Sequence, residues 1–138
     1  MSKTMMRLFN GVLVAVVVLL GLGACASHND LVSVSGEIMY RERIVLPDNA
    51  VIKVQLKDVS LQDTKAIVMA EMTSDEVTTP HAFTFELARD QFQQGHTYAV
   101  GARIEVEGKL WFINTQSYVV DINSNEAINL IVNKVGNE

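Results

Sequence analysis

The side chains that could carry catalysis or bind a metal are few and scattered in this sequence. Histidine occurs three times, as His28, His81 and His96, and no two of them have the short spacing of paired metal ligands. A catalytic role for His81 or His96 requires a carboxylate beside the ring, which the sequence does not place. No Gly-x-Ser-x-Gly elbow occurs, and the glycines form no phosphate-binding pattern. We therefore expect no metal site, no cofactor and no enzymatic activity.

The adjacent acids Asp75 and Glu76 come closest to a carboxylate pair. They lie in the polar stretch TSDEVTTP, which reads as a loop. Glycoside hydrolysis needs two carboxylates that are held at a defined separation across a sugar, whereas adjacent carboxylates in a loop point apart into water. The pair therefore predicts a solvated loop.

The only cysteine, Cys25, does have a spacing that indicates chemistry. Lys3 and Arg7 precede a continuous apolar run, residues 11–22, which is shorter than the roughly 20 residues of a membrane-spanning helix. A basic start, an apolar run of about 7–15 residues and small residues before a cut are typical of a secretory signal peptide. The motif Leu22-Gly23-Ala24-Cys25 resembles the bacterial lipobox, in which the cysteine is acylated and the chain is then cut in front of it.

Acylation of Cys25 sets the expected location and the expected domain boundaries. Residues 1–24 are predicted to be a signal peptide, residues 25–30 the acylated cysteine with a short tether, and residues 31–138 a single domain. One acyl chain binds a membrane only marginally, and mature lipoproteins of this kind carry more than one. Lipoproteins that stay at the inner membrane often have aspartate after the cysteine, and here Ala26 follows it. For a Gram-negative source, resemblance to this sorting pattern implies a periplasm-facing lipoprotein of the outer membrane. The alternative is an ordinary signal peptide or a buried thiol.

The mature chain is predicted to be acidic. Removal of Lys3 and Arg7 lowers the basic count from 11 to nine against 16 acidic residues, so the net charge moves from −5 to −7. Nucleic acid is excluded as a partner, because binding to phosphates needs a basic face. Anionic lipid headgroups would also repel this surface, so attachment to the membrane has to come from the acyl chains.

Alternation of apolar and polar residues predicts the strands, most clearly where Ala50, Ile52, Val54 and Leu56 alternate with polar neighbours. The seven predicted strands cover residues 32–40, 50–57, 66–73, 82–87, 98–106, 109–120 and 128–132, with room for one helical turn in residues 89–95. Short strands without a long amphipathic helix predict an all-β fold, a small antiparallel β-sandwich of about seven strands. A small closed barrel is the alternative.

Two segments are candidates for a partner surface. Tyr40, Arg41 and Arg43 end the first strand and place two guanidinium groups on an acidic domain, and Arg and Tyr are enriched at binding hot spots. Trp111 and Phe112 open a strand that is apolar on both faces, which suits either a covered central strand or an exposed patch. The alternatives are a strand end paired with neighbouring acids and an aromatic core.

Three stretches of the chain resemble the YbaY/YscW family of small lipoproteins, and together they span nearly the whole mature sequence. They are VSGEIMYRERIVLPDNAVIKVQLKDVSLQD, PHAFTFEL and HTYAVGARIEVEGKLWFINTQSYVV, of which Gly36, Tyr40–Arg43, Leu46-Pro47 and Asp58–Ser60 are the most specific parts. The resemblance implies a β-sandwich of the cell envelope. In one branch, the pilotins, the lipoprotein binds a secretin subunit of the type III secretion system and assists its assembly in the outer membrane. The chain looks more similar to the YbaY-like branch, whose members occur outside secretion clusters.

Two hypotheses of function follow from these observations. The first is an outer-membrane lipoprotein that binds an envelope protein such as a secretin, through a sheet edge or an apolar groove, and assists its assembly. Its partners are the membrane, through the acyl chains, and that outer-membrane protein. The second is a lipoprotein that binds polysaccharide or another envelope polymer, with Trp111, Phe112 or Tyr118 stacked on sugar rings. Burial of these aromatic side chains removes the support for the second hypothesis.

Overall fold

A computed structural model describes residues 30–136, and it confirms the predicted all-β class. The nine strands in this range are β1 (Leu31–Met39), β2 (Ala50–Asp58), β3 (Ile67–Ser74), β4 (His81–Ala88), β5 (Tyr98–Val106), β6 (Lys109–Ile113), β7 (Tyr118–Val119), β8 (Ile128–Ile131) and β9 (Asn133–Lys134), with a 3₁₀ turn at Arg89–Gln91. No helix among these residues is long and apolar enough to cross a membrane. The predicted signal peptide and Cys25 lie outside the described residues.

The strands form two sheets. Sheet A has the order β4-β1-β8, and sheet B has the order β3-β2-β5-β6-β9, with β7 pairing with β5 beside β6. The predicted antiparallel β-sandwich is confirmed, with one departure, because β1 and β8 are parallel. No short hairpin connects these two strands, since the chain passes through sheet B between them, and their direction is therefore not forced to alternate.

The core lies between the sheets, as the alternating pattern predicts. In β2, the side chains of Ala50, Ile52, Val54 and Leu56 are at most 2% exposed, whereas the residues between them are half-exposed. The buried side chains of both sheets join in one hydrophobic cluster. No polar or charged residue among the described ones is fully buried. Any binding chemistry in this part of the chain therefore belongs to its surface.

β1 and β8 approach so closely at Gly36 that no other residue fits. Gly36 pairs with Ile128 in the parallel ladder, and a Cβ atom at residue 36 would lie 2.0 Å from the Ile128 carbonyl oxygen. Glycine permits this approach because it has no side chain. The residue that opens the most specific part of the family resemblance is therefore needed for packing.

The predicted strand 109–120 is interrupted at Asn114. The Asn114 side-chain oxygen accepts a hydrogen bond from the Ala102 N–H at 2.9 Å, and its amide donates to the Gln116 carbonyl at 2.9 Å. The side chain thus takes the place of a strand carbonyl, and the chain leaves β5 until β7 begins at Tyr118. The short strand β9 was not predicted. It forms because the wholly buried Val132 carries the chain from sheet A into sheet B.

The sandwich has a proximal end, where β1 begins at Leu31, and a distal end, where β1 finishes at Met39. Leu31 pairs with Ala88 at the proximal end of sheet A. At the distal end, Glu107 and Gly108 form the turn that connects β5 to β6. Eight residue steps along β1, at about 3.3 Å each, separate the two ends by roughly 26 Å.

Candidate partner-binding surface

The two aromatic residues predicted at the start of β6 point to different environments. The register between β5 and β6 shifts so that Phe112 pairs with Ile104 and Leu110 pairs with Glu105, which leaves Trp111 as the extra residue of a β-bulge. Phe112 is 0% exposed and lies in the core. Its assignment to a partner surface is therefore wrong, because the bulge aims it inward. Trp111 is half-buried and faces a surface cleft.

We call this depression the aromatic cleft. It has a volume of about 210 Å³ and is lined by Lys109, Leu110, Trp111, Lys134 and Val135. Leu110 and Val135 are 40% and 36% exposed, so the cleft presents apolar surface to solvent. The Val135 N–H donates to the Trp111 carbonyl at 2.8 Å, which fixes the position of one wall relative to the other.

The arginine loop, residues 40–49, connects β1 to β2 and passes next to the aromatic cleft. The Tyr40 ring packs on Phe112 with a centroid separation of 5.0 Å, so Tyr40 is half-buried against the core. The Glu42 carboxylate accepts a hydrogen bond from the Lys134 backbone N–H at 3.3 Å. Arg41 and Arg43 flank Glu42 and are exposed. The loop therefore carries two cations to the strand that forms one wall of the cleft.

The cations around the cleft are not used within the fold. The ion pairs formed among residues 30–136 join Arg89 to Asp30, His96 to Asp58 and Arg103 to Glu105. None of them involves the four cations of the distal end, Arg41, Arg43, Lys109 and Lys134. The whole chain has 16 acidic and 11 basic residues, so four cations free of ion pairs at one end stand out, although Glu42, Asp48 and Glu107 lie at the same end.

A polar cluster at the proximal end holds the histidine that the sequence could not place. Asp58 accepts a hydrogen bond from the Ser60 hydroxyl at 2.5 Å, and its other oxygen lies 2.6 Å from His96 Nδ1. The Ser60 hydroxyl hydrogen bond, followed by the His96 contact, lowers the pKa of Asp58 to about 2. The Thr97 N–H donates to the Ser60 hydroxyl oxygen at 2.8 Å. The cluster ties the end of β2 to the segment before β5.

This cluster differs from a catalytic triad, because the serine hydroxyl donates its hydrogen bond to a different group. In a triad the serine hydroxyl donates to the imidazole, which takes its proton, and the carboxylate orients the imidazole. Here the Ser60 hydroxyl donates to the Asp58 carboxylate instead, so the imidazole of His96 does not activate it. Among residues 30–136, no group of three or more His, Cys, Asp or Glu side chains is arranged to hold a metal ion.

The outer face of sheet B offers a second basic region for comparison. Lys53 and Lys57 lie on this face, as the alternation in β2 predicts, beside a shallow depression over Gly101. On the same face Gln55 donates to Glu71, and Arg103 pairs with Glu105 at 3.0 Å. The polar groups of this region are therefore partly satisfied within the sheet.

Comparison with known families identifies the chain. The model of a family described as type III secretion system lipoprotein chaperone, YscW, matches residues 29–132, which is more than half of the sequence. The chain belongs to the YscW family. The match includes Tyr40, Arg41, Arg43 and Trp111, and it begins after Cys25.

This YscW-family chain is also similar to a solved structure, described as an alternative pilotin from the type II secretion system of Vibrio cholerae. The two chains are 38% identical, and the similarity covers 78% of this chain and 99% of the pilotin, with a TM-score of 0.70. No curated protein sequence matches the chain. The expected family is therefore confirmed, and the solved pilotin structure shares the fold of this chain.

Several surface residues of the YscW-family protein escaped the sequence analysis. Lys109 and Lys134 line the aromatic cleft from β6 and β9, and Val135 follows β9. The stretch KLWFI, apolar on both faces, gave part of the signal. The sequence contains no comparable signal for Lys134 and Val135, because β9 has two residues and joins β6 only through tertiary structure.

Proposed function

We propose that this YscW-family protein is a lipoprotein of the outer membrane that binds a secretin-type outer-membrane protein and assists its assembly from the periplasmic side. The observation that carries the proposal is the similarity to the Vibrio cholerae pilotin, since it extends over 99% of that chain at 38% identity. Membership of a lipoprotein chaperone family supports both the envelope location and a non-enzymatic role.

Acylation of Cys25 is the second part of the proposal. The lipobox-like residues before it and the apolar run of residues 11–22 support it. More than one acyl chain on the cysteine makes membrane attachment effectively permanent. The five tether residues, 26–30, span less than about 20 Å at about 3.5 Å each, so the domain stays close to the bilayer.

The polymer-binding alternative loses most of its support. Of the three aromatic residues on which it depended, Phe112 is buried in the core. The Tyr118 hydroxyl accepts hydrogen bonds from the Ile131 N–H at 2.9 Å and from the Gln116 side chain at 2.6 Å. Tyr118 therefore connects β7 to β8. Trp111 and Tyr118 are both half-buried, and the hydroxyl group of Tyr118 is used within the fold, so we do not propose this function.

The test of the proposal compares the native protein with a Cys25→Ala variant in a Gram-negative envelope. Each tagged protein is crosslinked in cells, extracted in mild detergent and captured, and the bound proteins are identified by mass spectrometry. We expect a secretin to be enriched with the native protein and lost with the variant, and the mature N-terminus to be an acylated Cys25. Recovery of no outer-membrane protein above the variant contradicts the binding role. An unmodified thiol contradicts the anchor.

A further inference from the structure

We propose that the aromatic cleft, with the adjacent Arg41 and Arg43, binds an acidic peptide segment of the client protein that inserts one large apolar side chain beside Trp111. This inference rests on the proposed function and names the surface and the chemistry through which it operates. Three features of the distal end carry it: the size of the cleft, the charge around it and its position relative to the tether.

The size of the cleft fits a side chain better than a small-molecule ligand. Its volume of about 210 Å³ lies below the range of about 300–1,000 Å³ that is typical of ligand pockets. Trp111, Leu110 and Val135 supply apolar walls. Much of the binding energy of an interface comes from a few large side chains of the partner that fill pockets of this kind. A peptide that places one leucine, methionine or phenylalanine here covers apolar surface that is now exposed.

The charge around the cleft favours a negatively charged peptide. Lys109 and Lys134 line the cleft itself, and Arg41 and Arg43 are exposed on the loop that contacts β9. These cations pair with none of the acidic groups in residues 30–136. A carboxylate-rich segment is attracted to such a patch and oriented by it, whereas a basic segment is repelled.

The position of the cleft favours a protein segment over the lipid headgroups under the anchor. The tether enters at Leu31, and the cleft lies at the distal end, roughly 26 Å along β1. The tether spans less than about 20 Å, so a domain that stands on its proximal end turns the cleft towards the periplasm. The predicted net charge of the mature chain, −7 from nine basic and 16 acidic residues, also opposes contact with anionic headgroups.

Trp111 is the only tryptophan of the chain, so its fluorescence reports on the cleft directly. The full acylated protein, in neutral detergent micelles, is titrated with two tryptophan-free amphipathic helical peptides. They share a leucine stripe and differ only in carrying glutamates or lysines on the polar face. We expect the glutamate peptide to shift Trp111 emission to the blue with saturation, and salt to weaken the binding. Equal binding of the two peptides overturns the proposal.

Charge reversal tests whether the lysines of the cleft are responsible. The double substitution K109E/K134E is expected to weaken binding of the glutamate peptide by about tenfold or more, since each exposed charge pair contributes up to about 1 kcal/mol. The matched control, K53E/K57E, reverses two lysines on the outer face of sheet B and is expected to leave binding unchanged. Circular dichroism confirms that both variants fold. An equal loss in the two variants, or no loss in K109E/K134E, overturns the proposal.

Two further measurements distinguish peptide binding at the cleft from a lipid contact there and from failure of the proposed function. Vesicles of phosphatidylethanolamine and phosphatidylglycerol replace the peptide in one arm, and a blue shift there that K109E/K134E abolishes marks a lipid contact and overturns the peptide assignment. Envelope capture is then repeated with acylated K109E/K134E. Loss of the secretin supports the proposal. A secretin retained by this variant overturns the assignment of the cleft and leaves the proposed function standing, whereas no capture by the native protein contradicts the proposed function itself.

Discussion

The proximal end of the sandwich uses its charged side chains to hold the fold together. Arg89 donates to the Asp30 carboxylate at 2.7 Å and to the Asn123 side-chain oxygen at 3.2 Å, which joins the start of β1 to the end of β4 and to the segment after β7. Asp58 and His96 make a second connection, between β2 and the approach to β5. Each of these groups has a partner supplied by the chain itself.

The distal end carries charge that the fold does not use. Arg41, Arg43, Lys109 and Lys134 have no ionic partner among residues 30–136, and the two lysines line a cleft together with the exposed apolar side chains of Leu110 and Val135. Contiguous apolar surface with a polar rim marks interaction sites in soluble proteins. The contrast teaches that one end is organised for the stability of the domain, whereas the other offers the groups with which a partner can pair.

The largest expected effect is on stability and comes from substituting Phe112, one of the two adjacent aromatic residues of β6. Phe112→Ala is expected to lower the free energy of unfolding by about 3–5 kcal/mol, because it opens a cavity under Tyr40 in a closed core. Trp111→Ala, the matched control, is expected to cost less than half as much, because Trp111 is half-buried in a surface cleft. Urea unfolding followed by circular dichroism measures both. Equal losses would show that the two side chains share one core.

A second large effect is expected at the contact between β1 and β8. Gly36→Ala is expected to cost about 3 kcal/mol, because the new Cβ overlaps the Ile128 carbonyl and forces the strands apart. Since β8 leads into β9, the distal end should loosen first. Gly101→Ala is the control, because a Cβ there meets only the Asn114 side chain at 3.4 Å. Hydrogen exchange at Lys134 and His96 compares the two ends, and greater loss of protection at His96 would contradict this prediction.

The proximal cluster predicts a smaller, pH-dependent effect. Its hydrogen bonds hold the pKa of folded Asp58 at about 2, below the value of about 3.9 in an unfolded chain. Asp58 therefore contributes its full stabilisation above about pH 4, and this contribution is lost as the pH falls towards 2. We expect Asp58→Asn to cost about 1–2 kcal/mol at neutral pH and to flatten the acid limb of the stability curve.

The control for this pH dependence is the same substitution at an exposed carboxylate. Asp75 lies in the polar loop between β3 and β4 and is exposed. Asp75→Asn is expected to leave the acid limb unchanged. Urea unfolding at a series of pH values below neutrality measures both variants. If the two variants keep the same slope between about pH 4 and pH 2, the Asp58 contacts do not stabilise the fold.

The smallest expected effect concerns the arginines. Arg41→Ala with Arg43→Ala should change the free energy of unfolding by less than about 0.5 kcal/mol, because neither side chain has an ionic partner among the described residues. Arg89→Ala should cost up to about 1 kcal/mol, since it removes a partly exposed ion pair. Thermal unfolding at matched salt distinguishes them. A larger loss at the distal arginines would reverse the comparison between the ends.

The strands could be predicted because their pattern is local. Alternation in β2 and β4 identifies the buried residues directly, and the reversal at Glu107 and Gly108 follows from its sequence. Both turn residues have positive φ angles, as a tight hairpin between antiparallel strands requires. The number of short strands and the resemblance to the YscW family both predicted a layered architecture, and the two sheets of the structure confirm it.

The candidate surface was only partly predictable, because a single bulge changes which residues face the core. Alternation alone does not show where a bulge falls, so it could not decide which of Trp111 and Phe112 faces the core; both were predicted on a partner surface, and the prediction for Phe112 is wrong. Lys134 joins this surface from a distant part of the sequence through β9. The acylation of Cys25 stays a prediction, since it falls outside the described residues.

The parallel pairing of β1 with β8 also determines when the protein can complete its folding. The first strand of sheet A finds one of its two neighbours only when residues 128–131 are available. If the chain is exported from its N-terminus, as we propose, sheet A cannot be completed until residues 128–131 have crossed the membrane. Closure by so distant a segment implies slow folding, because the entropy of the intervening loop must be overcome first. Delay of this kind suits a polypeptide that has to be threaded before it folds.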